Sequence, residues 1–289
     1  ARPCGSFDAR SMPEPHPREP RVPEDFAEIL SGSELPLIVG GQAVNIWARL
    51  YGSRIPALRA YRPFVSVDAD IYGTRELAQT LARRTGWKIS FPRERDSMIA
   101  AFLKRPAAAG TKELSLEILH EVNGLSAEDL TRDVVVGSAN FRYRIPSPLV
   151  MLKAKLYNLI SLVATPRPQD LRHVKMLIPI VRQYLNESFA AVRAGEMTKA
   201  NLQALLRYAG EVINSSASQN AAHAFLLDLR PMIPRSLLHA PAEIREALRP
   251  LLIGIENGSP RHRRAGLSNE PTVKTRGAGE ASQRRRSSF

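Results

Sequence analysis

Asp68 and Asp70 stand two residues apart in the run Ser66-Val67-Asp68-Ala69-Asp70-Ile71. If residues 65 to 72 form a strand, its period of two puts both carboxylates on one face, where they repel each other. A divalent cation relieves that repulsion, and Mg²⁺ is commonly held by one or two carboxylates together with substrate phosphates. Upstream, an apolar run ends in Gly40-Gly41. Without Cβ atoms the backbone there can approach a ligand closely, and the first amides of a following helix can face a phosphate. Together these residues mark a candidate site for phosphate chemistry. Each also has a plainer role: the glycines as a tight strand-to-helix turn, the aspartates in a turn or a salt bridge.

The elements that must hold these residues can be read from periodicity. Residues 24 to 30 begin an amphipathic helix, and residues 35 to 39 form an apolar run of strand length. Over residues 42 to 51, Val44, Trp47, Ala48 and Tyr51 recur at helical spacing, with Gly52 as the stop. Residues 55 to 63 read as a basic loop carrying Arg59 and Arg62, next to Arg54. Thr74 caps a helix over 75 to 85 that keeps Leu77, Ala78 and Leu81 on one face and has Gly86 beyond its end. Further strands are expected at 87 to 91, 98 to 103 and 114 to 119. Residues 133 to 136 and 141 to 145 read as a pair joined at Gly137-Ser138. From Pro148 onward the pattern is helical, over 149 to 163, 170 to 186, 199 to 214, 220 to 229 and 241 to 252, broken by Pro, Gly or Ser clusters. The expectation is an α/β front half over residues 25 to 146 and an all-helical domain over 147 to 256, with the boundary near Ser147.

The order of a strand, a Gly-Gly turn opening a helix and an Asp-x-Asp strand resembles the polymerase-beta-like nucleotidyltransferase superfamily. The words Val39-Gly40-Gly41-Gln42-Ala43-Val44-Asn45 and Ser66-Val67-Asp68-Ala69-Asp70-Ile71 look most like its small bacterial and archaeal members, including toxin nucleotidyltransferases of abortive-infection type. The resemblance covers residues 36 to 180. It implies an α/β (α+β) nucleotidyltransferase domain with a small mixed sheet, its active site on one face, and a helical domain closing over the nucleotide. It also implies Asp68 and Asp70 as catalytic ligands of Mg²⁺ or Mn²⁺, with Gly40, Gly41 and Ser66 beside the nucleotide.

The superfamily usually supplies a third carboxylate from a neighbouring strand. Leu114-Ser115-Leu116-Glu117-Ile118-Leu119, followed by Val122-Asn123-Gly124-Leu125, resembles that motif, with Glu117 where Asp is more usual. The extra methylene moves the carboxylate by about one bond length. Glu117 on the solvent face of a strand is the plainer reading. The segments from Ser147 to Leu156 and from Arg167 to Val174 resemble the helical part of the toxin-like subgroup, where a Lys and an Asp help to bind the nucleotide. Lys155 suits that Lys by its spacing to Asp170, with Lys153 as the other choice. Asp170 is also a good helix N-cap and Lys155 an ordinary surface lysine. Three residues after Asp170, where the family often has a second Asp, this chain has His173. His120 and His173 show no zinc spacing, so a surface or core role is expected of both.

The function implied is transfer of a nucleoside monophosphate from an NTP, ATP among them, to an acceptor hydroxyl or phosphate on RNA, a protein or a small molecule such as an aminoglycoside. Toxin-like members that modify tRNA ends point to RNA or tRNA. The alternative is a catalytically silent homologue that binds nucleotide or nucleic acid as a regulator.

Composition limits the choices. The 289 residues suffice for a sizeable core, and their 44% hydrophobic and 24% charged content is ordinary for globular chains. One cysteine, Cys4, leaves no disulfide framework and no cysteine-rich zinc site within the monomer. A reducing cytoplasm is the simplest setting, and no apolar run is long enough to span a membrane. Net charge is +13, with eight basic and two acidic side chains in residues 257 to 289, so anionic partners such as RNA are favoured. That basic tail and the leader over 1 to 24, with six prolines, both read as disordered. A solubilising tail without a specific partner is the plainer reading of its charge.

Overall fold

Leu37, Ile38 and Val39 are all buried and form β1 (Leu37–Val39), which runs without a loop into α2 (Gly40–Tyr51). In the computed structural model the described residues are 21–32, 34–66, 68–93, 98–105, 113–138, 141–161 and 168–258. Before β1 come a 3₁₀ turn (Pro23–Phe26) and the short α1 (Ala27–Leu30). After α2, a second 3₁₀ turn (Pro56–Tyr61) occupies the expected basic loop, held by the fully buried Leu58. Then follow β2 (Ala69–Tyr72), α3 (Arg75–Thr85), β3 (Lys88–Ser90), β4 (Ile99–Arg105), β5 (Leu114–Leu119), β6 (Asp133–Ser138) and β7 (Phe141–Pro146). The helical part comprises α4 (Pro148–Ser161), α5 (Pro168–Ala194), α6 (Lys199–Asn214), α7 (Ser216–Ala224), α8 (Arg235–Leu238) and α9 (Ala242–Asn257).

The strands make one seven-stranded mixed sheet in the order β3-β4-β5-β2-β1-β7-β6. β2 lies antiparallel to β1 and parallel to β5, and β1 lies parallel to β7. The chain is thus a mixed α/β fold followed by a helical region, as the periodicity predicts. One buried apolar cluster nevertheless runs through both, from Phe26 and Ile38 through Trp47 and Leu149 to Leu206 and Leu251. The change of texture at Ser147 marks where strands give way to helices, and the core continues across it.

Several local expectations need correction. The strand at 65 to 72 begins only at Ala69, because Ser66 pairs instead with Arg21 (N···O 2.7 and 3.2 Å) and Asp68 precedes the ladder. The leader's last residues are therefore tied to the fold; residues 1–20 lie outside the described set, as does the tail from 259. Gly137 and Ser138 belong to β6 and pair with β7, so the connection falls at 139–140, also outside it. The helix expected at 220 to 229 starts earlier, at Ser216, since the Ser215 hydroxyl accepts the Ser218 N–H at 3.2 Å. It stops before Leu226, which has φ 52. α5 continues well past Asn186 to Ala194, through Pro179. Thr74 and Gly86 do bracket α3: the Thr74 hydroxyl accepts the Leu77 N–H at 3.4 Å, and Gly86 takes φ 72. Among the described residues no helix is long and apolar enough to cross a membrane.

Candidate functional site

Side-chain alternation decides which face of the sheet carries the polar groups. In β5, Leu114, Leu116 and Ile118 are buried in the main core, so Ser115, Glu117 and Leu119 project the other way. In β2, Ala69 and Ile71 face the core, which leaves Asp70 and Tyr72 on the opposite side. Leu37 and Val39 share that opposite side with Leu130 in a small apolar cluster. Asp70 and Glu117 are register partners across the parallel β2/β5 pair. Neighbouring strands lie about 4.8 Å apart, so the two carboxylates are adjacent on one face.

Gly40 is needed for that arrangement in two ways. Its φ of 65 is the left-handed region, and a Cβ there would sit 2.0 Å from Asp70 Oδ2. Only glycine leaves room for the carboxylate. A Cβ on Gly41 would stand 3.0 Å from Ser66 Oγ, 3.1 Å from His173 Cε1 and 3.4 Å from Gln169 Nε2. The N-terminus of α2 thus opens onto a hydroxyl, an imidazole and an amide. Val39 occupies the cap position and makes no side-chain hydrogen bond to the helix start, whose first amides have no partner within the helix and suit an anion. The helix is anchored from behind: Trp47 Nε1 donates to Pro146 O at 2.8 Å and its ring stacks on Tyr51.

α4 and α5 close the other side. Lys155 Nζ lies 2.7 Å from Asp170 Oδ1, both side chains nearly sealed from water. Asp170 sits in the first turn of α5, and it holds Lys155 as an ion pair. Lys153 belongs elsewhere. Its ammonium is 2.7 Å from Asp129, which also accepts the Tyr208 hydroxyl at 2.7 Å and the Ser126 N–H at 2.7 Å. Arg172 donates to the carbonyls of Tyr61 and Pro63, which ties the start of α5 to the segment leading into Ser66.

Gly40, Gly41, Ser66, Asp68, Asp70, Glu117, Lys155 and Asp170 all line one cavity of about 410 Å³. The residues selected from the sequence are thereby brought together, and Lys155 rather than Lys153 is the lysine that reaches the cavity. Arg54, from the basic loop's edge, is held elsewhere, by Glu187 at 2.7 Å. The volume lies within the range of small-molecule sites. Asp68, Asp70 and Glu117 each also have an interaction partner within the chain. Among the described residues no three His, Cys, Asp or Glu side chains stand close enough together to hold a metal ion as they are. Their chemistry suits one nonetheless: all three are hard oxygen donors, and two are register neighbours.

Sequence reasoning assigned none of the cavity's amide and imidazole groups to the site, although it noted His173 three residues after Asp170. His173 also lines it, fully buried, with neither ring nitrogen partnered, and Gln169 and Asn158 line it too. Of the surface and core roles expected for His173, the structure shows burial, at a position that lines the cavity. Burial, reinforced by the positive charges of Lys155 and Arg172, pushes its pKa down to about 3, so the ring is neutral at physiological pH. A buried polar group left without a partner costs about 1–3 kcal/mol, so such groups call for an explanation. The signal that was available is spacing: Gln169, Asp170 and His173 fall on one face of a helix.

No family model matches this chain, nor does any curated protein or any solved structure.

Proposed function

We propose that the protein is a metal-dependent nucleotidyltransferase, moving a nucleoside monophosphate from an NTP to an acceptor. The observation that carries this reading is the single cavity shared by Gly40, Gly41, Ser66, Asp68, Asp70, Glu117, Lys155 and Asp170, which come from widely separated parts of the chain. Carboxylates beside a helix N-terminus, with a buried lysine on the other side, suit a metal-bound polyphosphate.

Asp68, Asp70 and Glu117 would hold Mg²⁺ or Mn²⁺. When bound, the metal supplies activation of the attacking hydroxyl and charge neutralisation on the departing pyrophosphate. The chain's own groups do the rest. The uncapped amides at Gly40 and Gly41 and the Ser66 hydroxyl donate to phosphate oxygens. Lys155, held in place by Asp170, offsets their negative charge. Glu117 is available to take the proton of the acceptor hydroxyl as its oxygen bonds to the α-phosphorus and the bond to pyrophosphate breaks. The +13 net charge favours RNA as the acceptor, tRNA among the candidates.

The test is incubation of the protein with each α-labelled NTP, Mg²⁺ and total RNA, followed by separation of RNA, protein and small molecules. Label transferred into one of these fractions supports the reading and names the acceptor class. Nucleotide binding with no transfer to any of them would support a silent nucleotide-binding protein instead.

A further inference from the structure

We infer that His173 is a hydrogen-bonding partner for the polyphosphate tail of a nucleoside triphosphate, acting with Ser66 and Gln169 around the N-terminus of α2. The inference rests on the nucleotide reading of this cavity and adds a residue that sequence motifs did not select.

His173 is fully buried, yet both ring nitrogens lack a partner, and it lines the cavity. Most buried polar side chains find at least one partner, and unlike the equally unpartnered Gln42 and Asn45, His173 faces the cavity. Here the ring turns Cε1, the carbon between its two nitrogens, toward Gly41, 3.1 Å from where a Cβ would stand. Ser66 Oγ and Gln169 Nε2 face the same point at 3.0 and 3.4 Å. Three side chains able to donate hydrogen bonds therefore converge on the space above Gly41.

The chemistry of that space selects an anion. α2 spans 12 residues and Val39 at its cap makes no side-chain hydrogen bond to it, and the first amides of a helix have no partner within the helix and favour an anion. Lys155 and Arg172 are the cations nearest in charge influence to the ring, and Asp170 is already committed to Lys155. Gln169 is exposed and can swing aside to admit a ligand oxygen to the imidazole edge. A phosphate oxygen accepting from the neutral ring, the Ser66 hydroxyl and the α2 amides gives the ring the partner that the protein itself does not supply. A nucleobase would use the same donors but would gain nothing from the helix N-terminus.

The test compares wild type, His173→Ala and His173→Asn for binding of tripolyphosphate, a non-hydrolysable NTP and the corresponding NMP in Mg²⁺ buffer, with melting curves for each protein. Loss of a hydrogen bond to a charged group is expected to weaken tripolyphosphate and NTP binding about tenfold or more in His173→Ala, and less in His173→Asn, while NMP binding changes under about twofold. Independently of any variant, the ¹⁵N imidazole resonances of His173 in wild type should shift on saturation with tripolyphosphate. Equal NTP affinity in wild type and His173→Ala, unmoved resonances, or no polyphosphate binding by wild type would each overturn the inference. If polyphosphate binds through His173 but no nucleotide reaches any acceptor, the inference stands and the transferase reading falls.

Discussion

Two lysines two residues apart on α4 each meet an aspartate at 2.7 Å, and they serve different purposes. Around Lys153, the Asp129 carboxylate accepts from the ammonium, the Tyr208 hydroxyl and the Ser126 N–H and hydroxyl, so both of its oxygens are engaged. Burial alone would raise the Asp129 pKa; the hydrogen bonds from Lys153, Tyr208 and Ser126 outweigh it and hold the group down to about 2. This network joins the loop after β5 to α4 and α6. Around Lys155 the pair faces a cavity where His173 has both nitrogens open and Asn158 has its Oδ1 buried and unpartnered. Saturated polar groups hold a fold together, whereas unpartnered ones that face a cavity leave donors and acceptors open to a ligand.

Gly40→Ala should do the most damage, since it strikes the site and the fold together. The left-handed backbone alone costs about 1–2 kcal/mol in an L-residue, and the new Cβ would collide with Asp70 Oδ2. Thermal denaturation should show a clear fall in Tm, and the transfer assay no activity. Wild-type Tm with full transfer would remove Gly40 from the account.

Glu117→Gln should slow transfer about a hundredfold or more if the carboxylate takes the acceptor proton, whereas Glu117→Asp should keep most of the rate. Similar, near-normal rates in both would return Glu117 to the surface of a strand.

Acid separates the two polar groups. His173 has its pKa depressed from 6.5 to about 3, so over that interval the unfolded chain takes up a proton that the folded one does not. Stability from this group is complete above about pH 6.5 and declines as pH falls toward 3, by at most about 1.4 kcal/mol per pH unit. Asp129 contributes a separate loss from near pH 4 down to about 2. Urea denaturation across pH 3.5 to 7 should show the first decline, and His173→Asn should abolish it. An unchanged slope in that variant would contradict the assignment.

The smallest effect concerns the tail. Deleting residues 259–289 removes eight basic and two acidic side chains. If RNA is the acceptor, its binding should lose salt dependence by roughly one unit of slope per phosphate contact removed, with nucleotide binding unaffected. Identical salt slopes for both proteins would point to another acceptor.

Much of the candidate site was legible because strands alternate with a period of two. Leu114, Leu116 and Ile118 announce a buried face, which sends Glu117 to the side that Asp70 occupies. Spacing to Asp170 favoured Lys155 over Lys153 without deciding between them: they lie about 200° apart around a helix, and the packing of Asp129 and Tyr208 shows which one turns away. His173 was noted only as a departure from the family's second Asp, because a lone histidine reads equally well as core or surface. The late start of β2 was hidden for a different reason, since it depends on Arg21, a residue of the Pro-rich leader, pairing with Ser66. Long-range pairings of that kind leave no local periodicity.

The most direct test of the central claim measures label transfer and melting temperature side by side for wild type, Asp70→Asn and Asp129→Asn. Asp70→Asn should abolish transfer and lower Tm less than Asp129→Asn does. Asp129→Asn, by weakening a buried network that holds Lys153 and Tyr208, should cost on the order of 3 kcal/mol in stability and keep transfer per folded molecule. Full transfer by Asp70→Asn, or loss of transfer by folded Asp129→Asn, would contradict the division between a saturated structural network and an open reactive cavity.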